Sequence, residues 1–215
     1  MKRVFWMVAL VAVLAAPALA EDLWDPPWDL TYPTNTHVWW DFPRDLTAPV
    51  ELHNPYGQPQ LVFPPGTTVQ GIPDWKGELI NTWHIGGEEG SYSDLRIWIP
   101  NNPDENLVKK ILWQMTSDKS PTPQGLPPTT SPPGTSLQDP FPTMGYPGSD
   151  WYSYNGLIEI RPNPVGEWLT FTLAQSTNIS EIVIDTACIP EPGTPILLGT
   201  GLLGLLAYTW RRRLA

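Results

Sequence analysis

Proline and glycine punctuate this chain too often for a fold built on long helices. There are 27 prolines and 17 glycines among 215 residues. Proline lacks the backbone donor of a helical turn and clashes with the turn before it, so helices stop there. Short strands tolerate it at their ends and edges. Between the breaks, apolar residues recur with period 2, the repeat of a strand with one buried face. Leu95, Ile97 and Ile99 lie on one side of a segment, with Arg96 and Trp98 on the other. Residues 167 to 173 alternate with Leu169, Phe171 and Leu173 together, residues 156 to 161 alternate as well, and Ile182 pairs with Ile184. Further strand signals fall at 37–42, 60–63 and 79–85. Residues 107 to 115 fit a short helix or a strand, and the alternation of Ile111, Trp113 and Met115 favours the strand.

Seven or eight short strands and no convincing long helix predict an all-β fold, an antiparallel β-sandwich of jelly-roll type. Residues 116 to 150 hold nine prolines with Thr, Ser and Gly between them. That density predicts a linker or one long surface loop with no packed element. The three strands beyond it would make a poor core alone. The reading is therefore one body, residues 21–187, interrupted by a proline-rich loop at about 116–150.

The two ends are different in kind. Met1-Lys2-Arg3, an apolar run from Val4 to Ala16 and Ala18-Leu19-Ala20 are the three parts of a secretory signal peptide, residues 1–20. At the other end, residues 188–215 carry Pro190-Glu191-Pro192, an apolar run from Ile196 to Trp210, and Arg211-Arg212-Arg213. Two prolines keep the tripeptide extended, as a protease cleft prefers. A 15-residue helix covers roughly 22 Å, short of a hydrocarbon core of about 30 Å. A transmembrane helix at about 194–210 with Gly199, Gly201 and Gly204 in it suits a temporary anchor, and the arginines suit the cytoplasmic side.

That order of tripeptide, span and basic stop resembles the PEP-CTERM sorting signal. The resemblance covers residues 189 to 213, with Pro190, Glu191 and Pro192 as the motif and Arg211, Arg212 and Arg213 as the stop. Gly193 stands where that family commonly has Ser or Thr, which blurs the cleavage position. The resemblance implies a bacterial precursor held in the inner membrane through its C-terminal helix. It also implies cleavage by an exosortase-type membrane protease and delivery to the cell surface or the extracellular matrix. Such proteins accompany exopolysaccharide, which makes exopolysaccharide an expected partner.

Charge narrows the partners further. The body carries 21 acidic against 7 basic side chains, a net charge of −14. Nucleic acid is excluded, because phosphate binding needs basic clusters. With the single cysteine, Cys188, no intrachain disulfide can form.

No residue pattern for catalysis stands out. His37, His53 and His84 have no ligand spacing, and no HExxH, GxSxG or phosphate-loop pattern occurs. His84 with Glu88 or Glu89 would suit an acid/base pair, but the intervening Gly86-Gly87 reads as a turn, and a structural or exposed histidine is the default reading. The expectation is a non-enzymatic protein without cofactor. Asn101, Asn102 and Asp104, with Glu105 and Asn106, supply oxygens for a hard cation such as calcium, although ordinary turn chemistry explains the same residues. Ten tryptophans lie in the body. More than half are expected in the core, since Trp is highly buried on average. Trp98, and Trp151 with Tyr152 and Tyr154, are candidates for stacking on sugar rings. A carbohydrate-binding module is thus an alternative to a structural matrix protein, and a glycan-acting hydrolase is a second one. The hydrolase needs two carboxyl groups about 5 to 9 Å apart across a cleft.

Overall fold

The alternating segments form strands. A computed structural model of the chain describes residues 26–28, 34–41, 48–73, 79–88, 90–120, 128–145, 150–190 and 203. Twelve strands follow in order: β1 Thr36–Asp41, β2 Glu51–His53, β3 Gln60–Val62, β4 Thr68–Pro73, β5 Leu79–His84, β6 Tyr92–Pro100, β7 Leu107–Ser117, β8 Thr129–Ser131, β9 Thr135–Gly145, β10 Tyr152–Ile160, β11 Gly166–Ala174 and β12 Asn178–Pro190. All pairings are antiparallel. The larger sheet runs β2-β1-β12-β7-β10-β9, with β5 joining β12 and β4 joining β5. The smaller runs β3-β6-β11-β8.

The two sheets share one core. From the smaller sheet come Leu95, Ile97 and Ile99 of β6 with Leu169, Phe171 and Leu173 of β11. From the larger come Val38 and Trp40, Ile111, Trp113 and Met115, Ile158 and Ile160, and Ile182 and Ile184. Every one sits two residues from the next in its strand, so a single face of each strand supplies the core. Trp113 and Phe171 meet edge to face across the gap, ring centroids 5.2 Å apart at 77°. That is the favoured geometry for an aromatic pair. The long segment at 107–117 is a strand, as its alternation favours, and it lies in the middle of the larger sheet between β12 and β10.

The proline-rich stretch corrects the sequence reading. It holds two strands, β8 and β9, inside a span expected to be a loop or linker. Both are edge strands. An edge strand needs donors on one side only, so proline can sit in it without breaking a ladder. β9 carries Pro140 and Pro142, and its register against β10 shifts at three places. The short strands β2 and β4 were also missing from the periodicity. The signal peptide at 1–20 lies outside the described residues, as does the tail beyond Pro190 apart from Leu203. Among the described residues no helix is long and apolar enough to cross a membrane.

One glycine shapes the core. Gly156 of β10 lies directly opposite Trp113 of β7. A Cβ at 156 would stand 2.7 Å from the Trp113 indole nitrogen. A Gly156→Ala substitution therefore overpacks the centre of the sandwich and should lower stability by about 1–3 kcal/mol. Urea unfolding of that variant against Val165→Ala, a change at a 70% exposed side chain, measures the difference. The control should stay within about 0.5 kcal/mol of the parent.

Candidate functional site

Three places in the fold carry features beyond packing. The first is the end of β12. That strand stays paired with β7 to its last residues, Ile189 opposite Val108 and Pro190 opposite Leu107. Pro190, the first residue of the tripeptide, is thus the last residue of an inner strand, and it is exposed. Beside it an open groove of about 410 Å³ is lined by Trp28, Leu107, Cys188 and Pro190, among others. Glu191, Pro192 and Arg211 to Arg213 lie outside the described residues.

The second is the outer face of the smaller sheet. Trp98 of β6 is paired in register with Trp168 of β11, and their rings lie 5.5 Å apart. Both are partly exposed, on the face opposite the buried rows of β6 and β11. The Arg96 guanidinium lies 4.5 Å above the Trp168 ring, a cation–π contact that keeps its charge over the platform. Tyr92, 53% exposed, continues the row. Gly166 opens β11 beside Trp98, and a side chain there would run into the indole.

The other stacking candidates lie elsewhere. Trp151 is 4% exposed, and its indole nitrogen donates to the Pro73 carbonyl at 3.2 Å. Tyr154 is 7% exposed and belongs to the core. Neither offers a ring face to a ligand; of that group only Tyr152 reaches solvent. Among the eight body tryptophans described, four are buried: Trp40, Trp83, Trp113 and Trp151. Trp24 and Trp75, the other two of the ten, lie outside the described residues.

The third place is a buried polar layer where the two sheets meet at one end. Asn101 follows β6 in phase with Leu95, Ile97 and Ile99. Lys109 lies in phase with Ile111 and Trp113, Glu167 with Leu169 and Phe171, and Thr186 with Ile182 and Ile184. These residues extend the inward rows, so they point where the apolar side chains point. Lys109 and Glu167 have fully buried side chains, with Nζ 3.8 Å from Oε1. The Asn101 carboxamide lies between them. Its Oδ1 accepts from Lys109 Nζ, and its Nδ2 donates to Glu167 Oε2. Lys109 Nζ also donates to Thr186 Oγ1 at 2.7 Å, and that hydroxyl meets Thr36 Oγ1 at 2.6 Å. Glu167 Oε1 has no hydrogen-bond partner. Burial pushes the Glu167 carboxyl up to about 7, with Lys109 and Asn101 pulling the other way. Cys188 is directly across the ladder from Lys109, and burial raises its thiol.

This layer changes the reading of the 101–106 turn. Asn101 faces a lysine ammonium, which opposes a cation site. Asn102 Oδ1 caps the Asp104 amide at 3.0 Å, and Asp104 Oδ1 takes the Asn106 amide at 3.0 Å. The turn's side-chain oxygens close the turn itself. Among the described residues no group of three or more His, Cys, Asp or Glu side chains could hold a metal ion. His84 Nδ1 bonds the Asn178 side-chain oxygen at 3.0 Å, so its hydrogen bond runs to a neighbouring strand. His37, set opposite His53 in the ladder, meets the buried Asp185 carboxylate at 2.7 Å. The sequence reading found neither this pair nor the polar layer. The signal for the layer was phase: Glu167, Lys109 and Asn101 each continue an apolar row.

A folded-state Glu167 near 7, against an ordinary 4.5, holds its proton longer than the unfolded chain does. Its contribution to stability is full below about pH 4.5 and falls as pH rises through about 7, by roughly 3 kcal/mol at most. Urea unfolding at several pH values across that window should show the decline, and Glu167→Gln should flatten it.

No curated protein matches the chain. Comparison with protein families matches one stretch of it, which starts within the last two residues of β12: residues 189–213 carry the PEP-CTERM protein-sorting motif.

Proposed function

We propose that this is an exported, non-enzymatic surface or matrix protein. Its C-terminal tail holds the precursor in the inner membrane until an exosortase-type protease removes it. The sorting motif carries this reading, and its position supports it. The tripeptide begins at Pro190, the last residue of β12, and the matched motif at residue 189, so the folded body and the processing signal adjoin without a spacer. The signal peptide pattern of residues 1–20 supplies the export step, and the acidic body suits the outside of the cell. Successive strands alternate between the two sheets from β6 to β8 and from β10 to β12, which supports a jelly-roll-type sandwich as the delivered unit.

The test is the mass of the chain recovered from a host that carries exosortase. The mature protein should lack Arg211 to Arg213, and a Pro190→Ala, Glu191→Ala variant should stay uncut in the membrane fraction. A mature chain that keeps the three arginines overturns the reading.

A second reading, contact with exopolysaccharide, rests on the platform of Trp98, Trp168 and Arg96. Two neighbouring rings on one sheet face, inclined 50° to each other and with a cation above one of them, suit a run of sugar rings. Titrating the protein with the polysaccharide of its host should shift tryptophan emission without releasing products. Trp98→Ala and Trp168→Ala should each weaken binding by about tenfold. An unchanged affinity in both variants removes the platform from the account, and reducing-end release would move the protein to the hydrolases.

A further inference from the structure

We propose that Lys109 and Asn101 join in an intramolecular isopeptide bond, formed by the protein itself with Glu167 as the catalytic acid/base. The inference concerns the body alone and goes beyond the sorting reading.

The arrangement differs from a structural ion pair. A buried lysine and glutamate that serve only each other bring ammonium and carboxylate into direct hydrogen bonding, because desolvated charges need close partners. Here the nearest approach is 3.8 Å, and a neutral carboxamide lies between the two. The amine meets its carbonyl end and the carboxylate meets its nitrogen end. Those donors and acceptors fix which end is which. A nucleophile on the carbonyl side and an acid on the leaving-group side are the two groups that transamidation requires. Glu167 serves both ends, one oxygen toward each. Oε1 faces the lysine and has no hydrogen-bond partner, while Oε2 holds the nitrogen that would leave.

The rest of the layer holds the reactants. Thr186 anchors the amine from β12 at 2.7 Å. The Asn101 backbone amide donates to the Val165 carbonyl at 3.0 Å, which fixes the residue against the turn before β11. All three reacting side chains are buried, so water does not compete with the amine for the carboxamide carbon. Fixed contact of this kind replaces an encounter in solution.

The step balances without any co-reactant. Lys109 passes a proton to Glu167, which leaves a neutral amine and a neutral acid. The amine lone pair adds to Asn101 Cγ, and the Cγ–Nδ2 bond breaks. Glu167 gives its proton to Nδ2, which departs as ammonia, and takes the remaining amine proton in turn. The products are one secondary amide and one ammonia, with nothing oxidised or reduced. A carboxyl titrating near neutrality suits a group that must accept and return a proton in the same event. The bond would tie the exit of β6 in the smaller sheet to β7 in the larger. A chain with one cysteine has no disulfide to do the same.

The purified full chain tests this directly. Its intact mass should fall short of the mass expected for its residues by one ammonia, about 17 Da. Trypsin should fail to cut after Lys109. The peptide 97–110 should carry the whole deficit and give no fragment ions from bonds between residues 101 and 109. Glu167→Gln, close in shape to the parent, should have the full mass and be cut after position 109, as should Lys109→Arg. A parent chain of full mass overturns the bond. A deficit that lies on Asn101 alone and is lost under mild alkali marks a cyclic imide of that residue, and also overturns it. A Glu167→Gln chain that keeps the cross-link removes Glu167 from the chemistry. The 97–110 peptide reads the same whether or not the tail is cut, so failure here leaves the sorting reading untouched.

Discussion

Everything in this molecule hangs on the two-residue period of its long strands. β6, β7, β11 and β12 each send one row of side chains into a shared core, and the Trp113–Phe171 contact joins the rows across the gap. A slip of one residue in any of them would turn the whole row outward. The same period decides what the outer faces display. Trp98 and Trp168 lie side by side, partly exposed, on the outer face because Ile97, Ile99 and Leu169 are inside. It also decides the chemistry at the end of the sandwich. The inward rows do not stop where the apolar residues stop. They run on into Asn101, Lys109, Glu167 and Thr186, and the polar layer follows from the register.

The fold was legible where burial is one-sided. Residues 95–99 and 167–173 alternate, and each became a strand with the expected face inside; Ile182 and Ile184 also face the core, although β12 is buried on both faces. The proline-rich stretch was not legible, because proline density reports on hydrogen bonding and not on position in a sheet. β8 and β9 are edge strands, where half the donors have no ladder to serve. The three-residue strands β2 and β3 and the exposed β4 have too few buried positions to display a period. β3 announced itself through composition, since Leu61 and Val62 are β-prone.

The sites divide along a similar line. The sorting motif is local in sequence, so reading the residues in order was sufficient. Stacking surfaces depend on which face of a strand meets solvent. Trp98 was placed correctly by its aliphatic neighbours. Trp151 and Tyr154 follow a stretch whose structure could not be anticipated, and they turn inward. The polar layer brings together residues up to 150 positions apart, as in the Thr36–Thr186 contact. Spacing along the chain says nothing about such a set. Phase within each strand does, once a charged residue in an apolar row is treated as a question and not as the row's end.

The position of β12 has a consequence in time. It pairs with β7 on one side and with β1 and β5 on the other, so it closes the larger sheet from within. It is also the last strand among the described residues, and its final residue opens the Pro-Glu-Pro tripeptide of the sorting motif. A chain that crosses a membrane N-terminus first must wait for these residues before the sheet can form. Until then β1 and β7 have no neighbour between them, and contacts of long sequence separation form slowly. The tail emerges just behind the strand that completes the fold. In the proposed precursor, a span still threaded would keep an unfinished sandwich tethered and at low local concentration, where exposed strand edges do less harm. On that proposal, a protease that recognises the tripeptide at the end of β12 would meet a body whose closing strand is already in place. Release would follow completion because both are written into the same dozen residues.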